Sequence, residues 1–263
     1  MPYLYETHIH TKESSACGVS PGREYIKKYK DLGYTGIIVT DHFYRGNCAI
    51  PRSLPWDKWV HSFCRGYEEA HDEGIKQGFD VFFGWEETYD GDDYLVYGLD
   101  KKWLLEHPEV IFWTRAEQLR EVRRGGGCVV QAHPFRQYYY ISSVILSSGC
   151  VDAVEAANAG NEQSFDALAL AYANKFHLNF TAGSDIHYSG DIKRGTVFGV
   201  YLDKKMETIY DYANSLRGGT IAGLHIPPNR CKLHGNERVL IPVDIRDAND
   251  RSTRITLVDI LKP

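Results

Sequence analysis

Five short stretches of this sequence carry histidines and carboxylates that could share cations: His8-Ile9-His10, Asp41-His42, Glu86-Glu87, His133-Pro134 and Asp185-Ile186-His187. Each follows a short apolar run that reads as a strand. Side chains at i and i+2 of a strand point to one face, so His8 and His10 can address one ion. Asp185 and His187 repeat that arrangement with one oxygen and one nitrogen donor. Asp41 beside His42 suits a ligand with a carboxylate that orients a neighbouring ligand. Only one of Glu86 and Glu87 can face inward if the strand continues, and a carboxylate, unlike an imidazole, can bridge two cations. Pro134 fixes the chain just past His133. Taken singly, each stretch has a plainer reading, such as exposed strand histidines or a helix-capping aspartate. Together they supply His8, His10, His42, Glu86, His133, Asp185 and His187 at one end of successive strands. Mixed nitrogen and oxygen donors fit zinc, manganese or iron better than calcium or magnesium. The set exceeds the four ligands of a structural zinc, so two or more divalent ions are implied.

The elements that must position these residues follow from hydrophobic periodicity. Leu4–His10, Gly36–Thr40, Phe79–Phe83, Tyr94–Leu99, Cys128–Ala132, Val151–Ala156 and Asn179–Ala182 read as strands. Helices are expected over Arg23–Leu32, Trp56–Gln77, Thr114–Arg124 with a Thr114/Glu117 capping box, Glu162–Phe176 and Lys205–Leu216. About seven strand–helix units argue for an α/β fold with parallel strands and a closed or nearly closed barrel. In such barrels the loops at the C-terminal strand ends form the active site. After Pro227-Pro228-Asn229 the pattern changes: Val239–Val243 and Arg254–Ile260 read as a hairpin, either an edge extension or a dimer contact. Residues 1–225 are thus read as the barrel and 226–263 as a β-rich extension of the same domain.

Length and composition bound the rest. A chain of 263 residues with 43% hydrophobic and 25% charged residues is an ordinary globular protein. A net charge of −5 provides no general attraction for nucleic acid, so no stable nucleic-acid binding is expected. The first residues carry no basic region followed by an apolar run, and no stretch is long enough to span a bilayer. The six cysteines are scattered without a Cys-x-x-Cys pair, which reads as reduced thiols and a cytoplasmic location. His61, Cys64, Glu68 and His71 sit on one predicted helix without a strand end to support them, and read as an amphipathic face.

The same stretches resemble the PHP (polymerase and histidinol phosphatase) family over roughly residues 6 to 195. Its His-x-His, Thr-Asp-His, Gly-x-Glu, His-Pro and Gly-Ser-Asp-x-His motifs appear, in order, as His8-Ile9-His10, Thr40-Asp41-His42, Gly84-Trp85-Glu86, His133-Pro134 and Gly183-Ser184-Asp185-Ile186-His187. The resemblance favours Glu86 over Glu87 and implies a distorted, TIM-barrel-like (β/α)7 barrel with two or three metals and, in many members, phosphoesterase activity. Two positions depart from the family pattern. Cys17 stands where Asp or His is usual, and is either a ligand or a plain buried thiol. Asp93 stands where a histidine is usual, and is either a ligand or a turn residue.

The expected chemistry is hydrolysis of a phosphate ester of a small metabolite or nucleotide, with an ion-bound water, ionised near neutral pH, as the nucleophile. His8, His10, Glu86 and Asp185 would hold one ion; His42, Glu86 and His133 would help hold another. Arg136 and Arg194, each just past a motif, are candidates for the substrate phosphate, because guanidinium groups suit bidentate contacts; the alternative for both is surface arginine. Tyr138, Tyr139 and Tyr140 could stack on a ring of the substrate. Hydrolysis of an amide or other bond by the same ions, and a regulatory module without turnover, are the competing readings.

Overall fold

The computed structural model describes residues 2–261. In chain order these form β1 (Tyr3–Ile9), α1 (Arg23–Asp31), β2 (Gly36–Val39), α2 (Trp56–Phe63), α3 (Arg65–Gln77), β3 (Asp80–Phe83), β4 (Trp85–Tyr89), β5 (Asp92–Tyr97), α4 (Lys101–Glu106), α5 (Arg115–Arg124), β6 (Cys128–Gln131), β7 (Val144–Leu146), β8 (Ala153–Asn158), α6 (Gln163–Lys175), β9 (Asn179–Gly183), β10 (Gly199–Leu202), α7 (Ile209–Arg217), β11 (Gly223–His225), β12 (Val243–Arg246), β13 (Ser252–Ile255) and α8 (Leu257–Leu261). The capping box at α5 is present: Thr114 Oγ1 accepts from the Glu117 N–H at 3.2 Å, and Glu117 accepts from the Thr114 N–H at 2.8 Å. The single helix expected over Trp56–Gln77 is two helices that meet at Cys64.

The fold is mixed α/β, and, against expectation, its strands do not all pair in parallel. One five-stranded sheet runs β11-β10-β1-β2-β3 and another runs β4-β5-β6-β8-β9. β10 is antiparallel to β1, and β5 is antiparallel to both β4 and β6. The cause of the β4–β5 reversal is local. Asp90 and Gly91 both have positive φ, at 51° and 94°, as a two-residue type I′ hairpin turn requires.

The two sheets meet at two seams, and both lie where the ligand motifs fall. At one, the chain passes from β3 through Gly84 into β4, and Glu86 bridges to His42 beyond the end of β2. There the Phe43 N–H donates to the Glu86 carbonyl at 2.7 Å and the Glu86 N–H to the Asp41 carbonyl at 3.0 Å. At the other, Ile9 bridges to Ile186, with the His10 N–H on the Ile186 carbonyl and the Asp185 N–H on the His8 carbonyl, both 2.8 Å.

Apolar residues next to the ligands in sequence point into the core and hold the ligands inward. Ile9 and Ile186 pack in one cluster with Tyr25, Ile37 and Val39. Phe43 and Trp85 pack in another with Trp59 and Phe63, where the Phe43 ring lies 5.1 Å from those of Trp59 and Phe63. Close packing leaves these side chains few alternative rotamers, so each ligand's backbone is pinned by its neighbour.

The C-terminal segment forms a third sheet, β13-β12-β7, in which β12 is parallel to β7 and antiparallel to β13. Ile260 packs with the α6 residues Leu168 and Tyr172, and Arg230 Nε sits 2.6 Å from the buried carboxylate of Asp166. The segment therefore packs on this chain through β7 and α6. Among the described residues, no helix is long and apolar enough to cross a membrane.

Candidate metal centre

His8 and His10 leave β1 at an irregularity in its pairing with β2, between Glu6 and Ile9. Bulges of this kind re-aim side chains. Here the buried Glu6 replaces the missing partner, and its Oε1 accepts from the N–H groups of Thr7, His8 and Ser184 at 2.9, 3.0 and 2.9 Å. His8 Nε2 and His10 Nε2 lie 3.1 Å apart. Asp185 Oδ1 stands 3.1 Å from His10 Nε2 and 3.5 Å from His8 Nε2.

Glu86 lies at the centre with both oxygens among imidazoles. Oε1 is 3.1 Å from His133 Nε2 and 3.3 Å from His8 Nε2; Oε2 is 2.8 Å from His42 Nδ1 and 3.4 Å from His10 Nε2. The His10 ring is stacked between those of His42 and His187, with centroids at 4.3 and 4.4 Å. Three donor groups are close enough to hold a cation: His8, His10 and Asp185; His8, Glu86 and His133; His10, His42 and His187. These groups divide the donors differently from the expected sets: His133 lies with His8 on the Oε1 side of Glu86 and His42 on the Oε2 side, because β6 lies beside β5.

His133 and Asp185 have positive φ, at 28° and 58°. Such backbone costs of order 1–3 kcal/mol at a non-glycine residue and persists where the surroundings enforce it. Gly183, in the same turn as Asp185, cannot carry a side chain: a Cβ there would lie 2.5 Å from the His8 Cβ and 2.8 Å from Glu155 Oε1.

The donor atoms fit cations. His8 Nδ1 faces Glu155 Oε1 at 2.9 Å and therefore carries its proton. Ser15 Oγ gives its proton to Asp41 Oδ1 at 2.6 Å, so it accepts from His10 Nδ1 at 3.1 Å. With one proton on each ring, both Nε2 atoms present lone pairs to the space between them, 3.1 Å apart, where a further proton or a cation would be held. Burial works to lower His8, but Glu155, Asp185 and Glu86 raise it well above the usual imidazole value. His42 Nδ1 and Glu86 Oε2 are buried without a hydrogen-bond partner, although 2.8 Å apart. An imidazole nitrogen and a carboxylate oxygen left side by side in this way would both be satisfied by an ion.

The electrostatics agree. Burial would raise the Glu86 carboxyl, but the His42 and His8 charges and a hydrogen bond from His133 hold it well below the usual carboxylate range. Asp185, also pushed up by burial, is held well below that range by His8 and Arg136. Burial and the neighbouring His42 hold His10 well below the usual imidazole value, in the neutral form that binds metal.

No family model matches the sequence, and no curated protein is significantly similar to it. Solved structures do match. One is a two-domain protein of Bacteroides vulgatus containing a predicted PHP-like metal-dependent phosphoesterase, at 15% identity and TM-score 0.55, with 84% of this chain covered. Its fold is PHP-like. The chain spans 64% of that neighbour's length. PsfC of Pseudomonas syringae matches at 14% identity and TM-score 0.50, over 88% of this chain and 93% of its own. An amidohydrolase of Chromobacterium violaceum matches at 14% identity and TM-score 0.48, over 80% and 96%.

The other sequence-predicted residues fall around this centre as follows. Cys17 lines the same cavity as His42, Asp185 and His187; burial works to raise its thiol, but hydrogen bonds from His187 and His42 bring it down to about 6. Asp93 is at the margin, 3.8 Å from His133 Nε2, and accepts from Thr88 Oγ1 at 2.5 Å. Asp41 touches no metal-binding atom directly and positions His10 through Ser15. Glu87 points away to Arg45, at 3.0 Å. Arg136 is at the centre, with Nη1 2.8 Å from Asp185 Oδ2. Arg194 is not. It is exposed and lines a separate cavity with Leu32, Tyr34 and His225, because the chain turns away through Ser189–Asp191 before reaching it.

Sequence reasoning missed Glu155, Ser15 and Glu6. Glu155 was visible as a carboxylate inside the strand-like run Val151–Ala156, three residues past Asp152. A charge buried in a central strand is paired or coordinating, and that signal would have found it. Ser15 carried no such signal.

Proposed function

We propose that this chain is a metal-dependent phosphoesterase that hydrolyses a phosphate ester of a small metabolite or nucleotide, with two or three zinc, manganese or iron ions. The observation that carries this reading is the buried convergence of five imidazoles with Glu86 and Asp185 beside one arginine, at the floor of a cavity of about 680 Å³. Divalent ions held there would acidify water and polarise phosphoryl oxygens. His8, His10 and Asp185 would hold one, His8, Glu86 and His133 a second, and His10, His42 and His187 a third. Arg136 binds the phosphoryl group. Its guanidinium is fixed by Asn161 Oδ1 at 2.9 Å, Asn158 Oδ1 at 3.0 Å and Asp185 Oδ2 at 2.8 Å, which leaves N–H donors for substrate oxygens. Metal content and phosphate release from a panel of phosphate esters test the reading together; a protein that binds metal and releases no phosphate from any ester would overturn it.

Arg136→Ala is expected to raise KM for the best ester about tenfold, the value of one charge-assisted contact. Steady-state kinetics decide, and an unchanged KM removes Arg136 from the substrate site.

Cys17 is proposed as a further donor to the ion between His10, His42 and His187, on the strength of its place beside the last two. Sulfur favours zinc or iron over manganese there. The cobalt-substituted protein should show a near-ultraviolet thiolate-to-cobalt charge-transfer band that Cys17→Ser lacks. A band of equal strength in the serine variant excludes the ligand.

A further inference from the structure

Beyond the metal centre, the cavity has a rim that no step of phosphate-ester cleavage requires. Tyr138 and Tyr140 line it together with Arg136, Asp93, His133 and Asp185. Their rings are parallel, inclined by 1° with centroids 5.7 Å apart. They are 51% and 64% exposed, so neither ring is occupied by the core. Single exposed aromatics need no explanation; two parallel half-exposed rings on the wall of a catalytic cavity do.

The loop that carries them is held at both ends. Arg136 anchors its start through Asn158, Asn161 and Asp185. The Ile141 N–H closes a turn on the Tyr138 carbonyl at 2.9 Å, and the Leu240 N–H from the C-terminal segment binds Gln137 Oε1 at 2.7 Å. The rings are thus presented by a braced turn two and four residues from the arginine assigned to the phosphoryl group. A cavity of about 680 Å³ is in the range that encloses a drug-sized molecule, far more than a phosphoryl group fills. Arg45, the second arginine among the described residues lining it, is committed to Glu87 and to the carbonyls of Ile111 and Trp113. The far part of the ligand therefore meets tyrosine rings rather than an available guanidinium.

We propose that Tyr138 and Tyr140 form a stacking wall selecting phosphate monoesters whose alcohol carries a planar, uncharged aromatic ring, of mononucleotide size. The inference rests on the phosphoesterase reading and names its substrate class. A base stacked on an aromatic side chain gains enough to change affinity about tenfold or more.

The test compares adenosine 5′-monophosphate with ribose 5-phosphate, which carries a similar ester without the ring, on the metal-loaded protein. The nucleotide is expected to have a kcat/KM about tenfold higher or more, expressed in KM. The ratio should fall close to one in the Tyr138→Ala/Tyr140→Ala double variant and return in Tyr138→Phe/Tyr140→Phe, which keeps the rings. Equal use of the two esters, preference for glucose 6-phosphate, or a ratio that survives the alanine variant overturns the inference. If neither ester is cleaved, the phosphoesterase reading is decided separately, by phosphate release from the wider ester panel. Calorimetric titration of the same two compounds then decides: tighter binding of the nucleotide, lost in the alanine variant, supports the wall, and equal affinity refutes it.

Discussion

Glu86→Gln is expected to reduce kcat/KM by about a thousandfold or more and to lower the amount of metal bound. Oε1 of Glu86 lies within 3.3 Å of His8 and His133, and Oε2 within 3.4 Å of His10 and His42. It is the carboxylate through which the donor groups on both sides of the centre meet. Glutamine keeps the shape, and Trp85 stays packed in its own apolar cluster on the other face of the strand, so the fold should hold. It removes the negative charge, however, and turns one oxygen into an NH2 that presents hydrogens where a cation should be. Metal polarisation contributes several kcal/mol to a hydrolytic barrier, and each 1.36 kcal/mol is tenfold in rate; about 4 kcal/mol gives the stated loss. Elemental analysis, phosphate release and far-ultraviolet circular dichroism on one preparation measure all three quantities. Wild-type turnover at full metal content would show that Glu86 is not the shared ligand.

Most of that centre was legible because strand ends are. An apolar run followed by His or Asp tells where a strand stops and which side chains crowd its C-terminal edge, and His8, His10, His42, Glu86, His133, Asp185 and His187 do converge in space. Position along the chain is less informative once a loop intervenes. Arg194 lies seven residues past His187, and the Ser189–Asp191 turn carries it to another surface. Arg136, three residues past His133, has no room to leave. Glu155 and Ser15 were missed for a different reason. Their function is to hold imidazoles in one tautomer, and that is a property of pairs brought together across 147 and five residues respectively. Neither spacing has a sequence signature.

The fold was legible in its helices and its buried strands, and less so in its topology. Alternating strands and helices suggested parallel pairing throughout, but the sequence Tyr89-Asp90-Gly91-Asp92 carries the strongest short hairpin signal there is. Weighing Asp90-Gly91 as a turn would have predicted β4 and β5 antiparallel. The break between α2 and α3 at Cys64 has no comparable cue, since Phe63, Cys64 and Arg65 contain neither proline nor glycine. A C-terminal hairpin was expected, but its strands are Val243–Arg246 and Ser252–Ile255 rather than Val239–Val243 and Arg254–Ile260. Leu257–Leu261 is helical, and the pairing with β7 was not foreseen. β7 is three residues long, too short for periodicity to register.

Glu155 offers the sharper test of how the centre is organised, because it touches no cation in the proposed scheme. Glu155→Ala is expected to weaken metal binding about 10–100-fold. Oε1 accepts from His8 Nδ1 at 2.9 Å, and Oε2 accepts from the His133 N–H at 2.9 Å and from Asn158 Nδ2 at 2.8 Å. Without that carboxylate, His8 has no acceptor to keep its proton on Nδ1. The tautomer protonated at Nε2 then competes, and it cannot ligate. The His133 N–H also loses its partner in a buried site, which costs about 1–3 kcal/mol of stability, so affinity must be measured well below the unfolding transition. Glu155→Gln separates the two roles of the side chain. Its oxygen can still accept from Nδ1 and hold the tautomer, while its neutral amide no longer supports charge on His8, which the Glu155 carboxylate does in part at present against the opposing effect of burial. Chelator competition should rank wild type above glutamine and glutamine above alanine. Equal affinity in all three would mean that His8 is held by packing alone and that its bond to Glu155 serves the fold rather than the metal.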